Sequence, residues 1–169
     1  MDTPSSHPNA PQVRLCVPDT AQRLTATRHL FQEYANALAV PDCFTGFEEE
    51  LDALPWDYAG PRGQLLVAMG GELLLACCAL RPLDSVDYSN ACEIRRLYVR
   101  PAYRGLGLGR RLTEAQMDFA RMQGYSCMLL DTLSDMEAAR TLYEDLGFEE
   151  IPPYYFNPIA GAHYLKVDL

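Results

Sequence analysis

The amino-acid sequence predicts an α/β protein, a single domain whose mixed central sheet of about seven strands is flanked by about four helices. Three observations lead there. Short apolar runs with period-two alternation recur along the chain, two of them joined by Gly70-Gly71, a strong hairpin signal. Longer runs with apolar residues three and four apart lie between them, some opened by Ser/Thr-x-x-Glu sequences. One strand pattern, 91–99, passes through Pro101 into glycines at 105, 107 and 109 and then into a helix.

Taken in order, residues 1–11 are rich in Ser, Pro, Asn and Thr with little to bury, and are predicted to be a disordered tail before a domain spanning 12–169. Val13, Leu15 and Val17 alternate as a first strand. Asp19 or Thr20 caps a helix through about Leu38, with Leu24, Phe31, Tyr34, Ala35 and Leu38 on one face. Thr45-x-x-Glu48 has capping-box form and opens a shorter helix with Leu51 and Leu54 inward, ended by Pro55. Residues 56–63 are a turn-rich connection.

Strands at 65–69 and 72–80 form the hairpin, and 91–99 is the central strand, whose alternation puts Glu93, Arg95, Leu97 and Val99 on one side. The helix beginning near Arg110 carries Leu112, Ala115, Phe119 and Met122 on its core stripe and stops at Gly124. Residues 126–130 form a buried strand ending at Asp131. Ser134-x-x-Glu137 opens the last helix, with Ala139, Leu142, Tyr143 and Leu146 on one face and Gly147 as its C′ residue. Strands at 148–151 and 162–169 close the sheet around an aromatic loop, 152–158.

Composition narrows the function. The chain has 169 residues, net charge −9 and pI near 4.7, which argues against nucleic-acid binding, where a basic face is expected. Yet six of its 14 Lys and Arg residues, Arg95, Arg96, Arg100, Arg104, Arg110 and Arg111, fall around the glycines. Alternate glycines let backbone approach a ligand closely, and the amides of the loop and first helical turn converge on an anion. The stretch reads as a pyrophosphate cradle.

The six cysteines have no zinc-like or C-x-x-C spacing and read as free thiols in a reducing compartment. The three histidines are scattered, supporting neither a metal site nor a Ser-His-Asp triad. No signal peptide or membrane-length apolar run is visible, so a cytoplasmic protein is expected. The third glycine comes too early for a dinucleotide-binding turn, and no Gly-Lys-Ser/Thr of an NTPase loop follows.

Arg104-Gly-Leu-Gly107-Leu-Gly109 resembles the acyl-CoA-binding loop, Arg/Gln-x-x-Gly-x-Gly/Ala, of the GNAT acetyltransferases. Ala139-Arg-Thr-Leu-Tyr143-Glu-Asp-Leu-Gly-Phe148 resembles that family's second signature, Ala-x-x-Leu-Tyr-x-x-x-Gly-Phe, in the right order and spacing. The resemblance implies acetyl-CoA as cofactor, bound through Leu97, Tyr98, Val99, Arg104, Gly105, Leu106, Gly107, Leu108, Gly109, Arg110, Met136, Ala139 and Tyr143. It implies a splayed central strand pair with the pantetheine arm in the gap. Met136 stands where many members carry an Asn that bonds the arm, so one hydrogen bond of the pattern is missing.

N-acetyl transfer also needs a base for the incoming ammonium and a proton for the departing thiolate. The resemblance puts Tyr143 in the acid role, since a phenol stays protonated at neutral pH. The resemblance also offers two bases, Glu93 on the central strand, favoured for its longer reach, and Asp131 at the end of the next strand as its rival. Phe44, Phe47, Tyr154 and Tyr155 are expected to wall an acceptor pocket suited to a small amine or amino-acid-like molecule. A protein N-terminal or lysine acetyltransferase and a non-catalytic acyl-CoA sensor are the alternatives. The closing strand and aromatic loop offer a surface for a homodimer.

Overall fold

The computed structural model describes residues 12–38, 46–133, 137–156 and 159–169. The tail at 1–11 and the cap residues Thr45 and Ser134 lie outside them, as do Phe44, Met136 and Cys43. Seven strands form one sheet: β1 (Val13–Cys16), β2 (Gln64–Gly70), β3 (Leu73–Leu83), β4 (Ala91–Val99), β5 (Cys127–Leu133), β6 (Glu149–Ile151) and β7 (Ala162–Asp168). Their order is β1-β2-β3-β4-β5-β7-β6, antiparallel except for the β4–β5 pair.

Helices α1 (Ala21–Ala37) and α2 (Phe47–Ala53) cover one face, while α3 (Leu108–Met122) and α4 (Glu137–Asp145) cover the other. Period-two alternation divides each inner strand between the two cores. Leu65, Val67 and Met69 pack with Leu30, Phe31, Leu51 and Tyr58; Leu66 and Ala68 pack with Leu112, Met117 and Tyr143. Fully burying such a side chain is worth about 1.5–3 kcal/mol.

Several local expectations need correction. Thr20 caps α1, accepting from the Arg23 amide at 3.1 Å, but α2 starts from Gly46 at φ 71 with no side-chain cap. Gly70 belongs to β2; the turn is Gly71-Glu72, with Gly71 at φ 62, and a bulge lies between Ala68 and Met69. β5 continues through Asp131 to Leu133, because β7 pairs with its full length. Helix α3 begins two residues earlier than expected, and Met122 is 83% exposed at its fraying end rather than on the core stripe. Gln116 and Ala120 bury in that stripe instead.

The largest correction is in β4. Ala79 pairs with Arg95 but Cys77 pairs with Tyr98, so β4 carries one residue more than β3 across this step. Arg96 sits at φ 57 in the resulting bulge, and its carbonyl accepts from Cys77 Sγ at 3.3 Å. The alternation therefore reverses. Glu93 and Arg95 share the α1/α2 face with Arg96 and Tyr98, while Leu97 and Val99 turn to the α3/α4 core.

Candidate active site

β4 and β5 pair only at Ala91–Cys127, Cys92–Met128 and Glu93–Leu129. Past Glu93 the two strands separate, and a cavity of ≈ 40 Å³ opens in the gap, lined by Ile94, Leu97, Asp131, Thr132, Ala139 and Tyr143 among others. The splay expected from the family resemblance is present. Residues from both faces of the sheet border this gap, so it runs through the sheet.

On the α3/α4 side, β4 leads through Pro101–Tyr103 to a loop whose Gly105 and Gly107 have φ 82 and 78. A Cβ added at either would meet nothing within 4 Å, so open space lies over the loop. Gly107 is the N-cap of α3 and no side chain caps that helix, leaving its first-turn amides to face outward. Arg104 arches back, its Nε donating to the Val99 carbonyl at 2.9 Å, and Arg110 pairs with Glu114 and Asp145 at the surface. Leu106 is 64% exposed beside them. These residues fit a bound pyrophosphate and pantetheine arm.

Two of the predicted contact residues turn their side chains away from the loop. The Leu108 side chain is buried in the core, so only its backbone can reach a ligand. Tyr98 points to the opposite face, stacking on Tyr34 at 5.2 Å and donating to Glu33 at 3.2 Å. Three of the six arginines also point away from the loop. Arg95 and Arg96 reach Glu50, and Arg100 reaches Glu33 and the Leu74 carbonyl. Each satisfies a carboxylate on the α1/α2 face.

That face holds a cavity of ≈ 610 Å³ with Trp56, Arg81, Glu93, Arg95, Tyr154 and Tyr155 on its walls. It adjoins the gap, since Tyr34, Ile94, Arg95, Arg96, Asp131 and Thr132 border both spaces. Phe47 is not a wall; its ring packs beneath Arg96, 5.5 Å from the guanidinium carbon. Sequence reasoning missed Glu50, Arg81 and Trp56. Arg81 had one signal, a charge inside an apolar strand, but Glu50 looked like any member of Glu48-Glu49-Glu50.

Glu93 and Asp131 have different surroundings. Glu93 is buried and takes hydrogen bonds from Arg81 Nε at 2.9 Å and from the Tyr154 hydroxyl at 2.8 Å, with Arg95 Nε at 3.4 Å. Asp131 is half-buried at the gap and accepts from the Tyr155 hydroxyl at 2.7 Å. Burial raises the Asp131 pKa above its ordinary 3.8; the bond from Tyr155 offsets this in part, and the Glu93 charge adds to it. Tyr143, across the gap, is 6% exposed, and burial holds its phenol well above the usual 10.

A model of the Acetyltransferase (GNAT) family matches residues 25–148 of this chain. An uncharacterized N-acetyltransferase of Schizosaccharomyces pombe is 36% identical over 149 residues, covering 88% of this chain and 90% of that one. Among solved structures, an acetyltransferase from Streptococcus agalactiae superposes with TM-score 0.78 at 22% identity, over 93% of this chain and 98% of its own. A putative acetyltransferase from Salmonella typhimurium, solved with its cofactor acetyl-CoA, gives TM-score 0.71 at 20% identity over 92% and 93%. At those identities the two structures speak for the fold alone.

Proposed function

The chain belongs to the acetyltransferase (GNAT) family of enzymes, and from that premise we propose that it moves an acetyl group from acetyl-CoA to the primary amine of a small molecule by direct transfer in a ternary complex. One observation carries the reading. The gap past Glu93, bordered by Leu97, Ala139 and Tyr143 of the α3/α4 face, adjoins the walled polar cavity of the other face, so two substrates can meet within the sheet.

Bound acetyl-CoA supplies an activated thioester carbonyl. The loop amides and the α3 N-terminus would hold its phosphates, and Leu97 and Ala139, which line the gap, would border the arm. Asp131 is the proposed base. Its carboxylate is half-buried with one neutral partner, whereas both oxygens of Glu93 are already engaged by donors. The raised Asp131 pKa makes it a better proton acceptor than an ordinary carboxylate. We therefore assign Glu93 a positioning role, holding Arg81, Arg95 and Tyr154 in place.

As the amine nitrogen forms its bond to the carbonyl carbon, the C–S bond breaks. Asp131 takes the proton of the incoming ammonium, and the Tyr143 phenol gives its proton to the leaving sulfur. The second proton of the new amide nitrogen leaves to solvent, where the tyrosinate regains its own. Burial keeps the Tyr143 phenol protonated at neutral pH, so a proton is in place for the leaving sulfur.

The test is a mass-spectrometric screen of acetyl-CoA with amino acids, polyamines, aminoglycosides and short peptides. A product made by wild type and lost in Tyr143→Phe supports the reading. Products from peptides alone, or activity untouched in Tyr143→Phe, would overturn it.

A further inference from the structure

The charge arrangement of the cavity indicates which kind of amine enters it, and this inference rests on the N-acetyltransferase reading above. Five charged side chains form one connected network on the α1/α2 face. Arg81, Arg95 and Arg96 are three cations; Glu50 and Glu93 are two anions. Arg96 spends two bonds on Glu50, at 2.8 and 2.9 Å, and Arg95 adds a third at 3.2 Å. Glu93 is shared between Arg81 and Arg95. Glu49 and Asp131 border the same cavity, so among the described residues its lining has no surplus of cations, and what matters is which cation keeps donors to spare.

That cation is Arg81. Its Nε binds Glu93, and among the described residues its two terminal nitrogens have no hydrogen-bond partner. The side chain is 23% exposed and borders the cavity. Trp56, also a wall of the cavity, sits with its ring centroid 5.5 Å from the Arg81 guanidinium carbon. Trp56 has φ 50, a conformation costly for a bulky residue and retained only where its surroundings impose it. A guanidinium with its stem fixed, one face covered and its fork open is a receptor for a carboxylate.

Strand register places this receptor relative to the gap. Arg81 is opposite Glu93, Glu93 is opposite Leu129, and Asp131 lies two residues farther along β5 on the same face. Two strand spacings of ~4.8 Å and two residues of ~3.3 Å separate Arg81 from Asp131, before the splay. A long arginine and a short aspartate can span that interval with one small bifunctional molecule between them.

We propose that the acceptor is a free amino acid, its carboxylate docked on Arg81 beneath Trp56 and its amine directed toward Asp131 at the gap. The terminal nitrogens of Arg81 select the carboxylate, Asp131 receives the ammonium, and the Trp56, Tyr154 and Tyr155 rings receive the side chain.

The experiment gives wild-type protein and acetyl-CoA equimolar pairs differing only in the carboxylate: phenylalanine with phenethylamine, leucine with isoamylamine, lysine with cadaverine. Products are quantified by mass. The expected result is at least a tenfold higher kcat/KM for the amino acid in the preferred pair. Arg81→Gln should erase that ratio through a raised KM for the amino acid while the amine is still turned over, and Arg81→Lys should restore part of it. A wild-type ratio near one in every pair, or an unchanged ratio in folded Arg81→Gln, overturns the proposal while leaving the N-acetyltransferase reading standing. If Arg81→Gln fails to fold, the wild-type ratio decides alone. No acetylated product from either member of any pair overturns the proposal, and only silence across the wider panel of amines as well would remove the N-acetyltransferase reading.

Discussion

On the α1/α2 face beside the β4–β5 gap, Glu50 and Glu93 are buried under three guanidinium groups and two phenols. On the α3/α4 face, Tyr143 is buried among apolar side chains, edge-on to Phe148 at 5.5 Å. The first face stabilises charge by pairing it, and the second keeps a proton on by withholding water. Asp131 stands between them, desolvated like Tyr143 but on the face where carboxylates are otherwise paired. The contrast separates residues that hold the site together from residues whose proton can move.

That separation can be broken most sharply at Tyr143. Tyr143→Phe should lower kcat by about 10²–10⁴-fold, the usual worth of a positioned acid, with little change in acetyl-CoA-induced thermal stabilisation. An equal loss of cofactor binding would mean the phenol acts in binding instead. Asp131→Asn should cost about 10²-fold in kcat.

The same carboxylates should respond oppositely in stability. Burial alone would raise the Glu50 pKa, but the Arg96 hydrogen bonds and the charges of Arg96 and Arg95 outweigh it, so the folded value lies below 4.5. Glu50 thus stabilises the fold above pH 4.5, and that contribution is lost as pH falls through the lower folded value. Glu50→Gln should destabilise by about 3–5 kcal/mol at neutral pH, since it removes the carboxylate that the buried Arg96 and half-buried Arg95 guanidinium groups share.

Asp131 carries the other sign. Its folded pKa is raised above 3.8, so the folded state binds the proton more tightly, and ionising it at higher pH costs stability. Asp131→Asn should therefore raise the melting temperature at neutral pH, with the gain fading as pH falls toward 3.8. Thermal scans of both variants across pH check the pair, and parallel curves would erase the distinction. The acid limb of kcat/KM should likewise lie above the ordinary aspartate range.

The smallest effect is expected at the cofactor loop. Gly107→Ala places a Cβ at φ 78, which costs about 1–2 kcal/mol, or roughly 2–8 °C in melting temperature at ~2–4 °C per kcal/mol in a chain of this size. The open space above it means no clash in the free protein. A rise in KM for acetyl-CoA beyond that modest destabilisation would place ligand in that space.

Much of this was legible in local sequence. The number and order of strands, the hairpin, the glycine loop at the head of α3 and the turn after Tyr143 all depend on residues a few positions apart. Periodicity and turn chemistry act at that range. Tyr143 and Asp131 were found through their place in a familiar pattern, and the structure brings both to the gap. The destinations of the arginines could not be read that way. A cluster between 95 and 111 looks uniform along the chain, yet its members divide between two faces of a sheet.

What the sequence by itself determined was the fold class, the family and the glycine loop proposed to hold the cofactor, where backbone shape and local motifs carry the information. Only the tertiary structure decided the walls of the cavity proposed for the acceptor. The bulge at Arg96 reverses the alternation of β4, and partners distant in sequence, Arg81, Glu50 and Tyr154, meet there across β3, α2 and the aromatic loop. Charge pairing in a buried site depends on three-dimensional neighbours, and a single sequence does not state which carboxylate a given arginine will find.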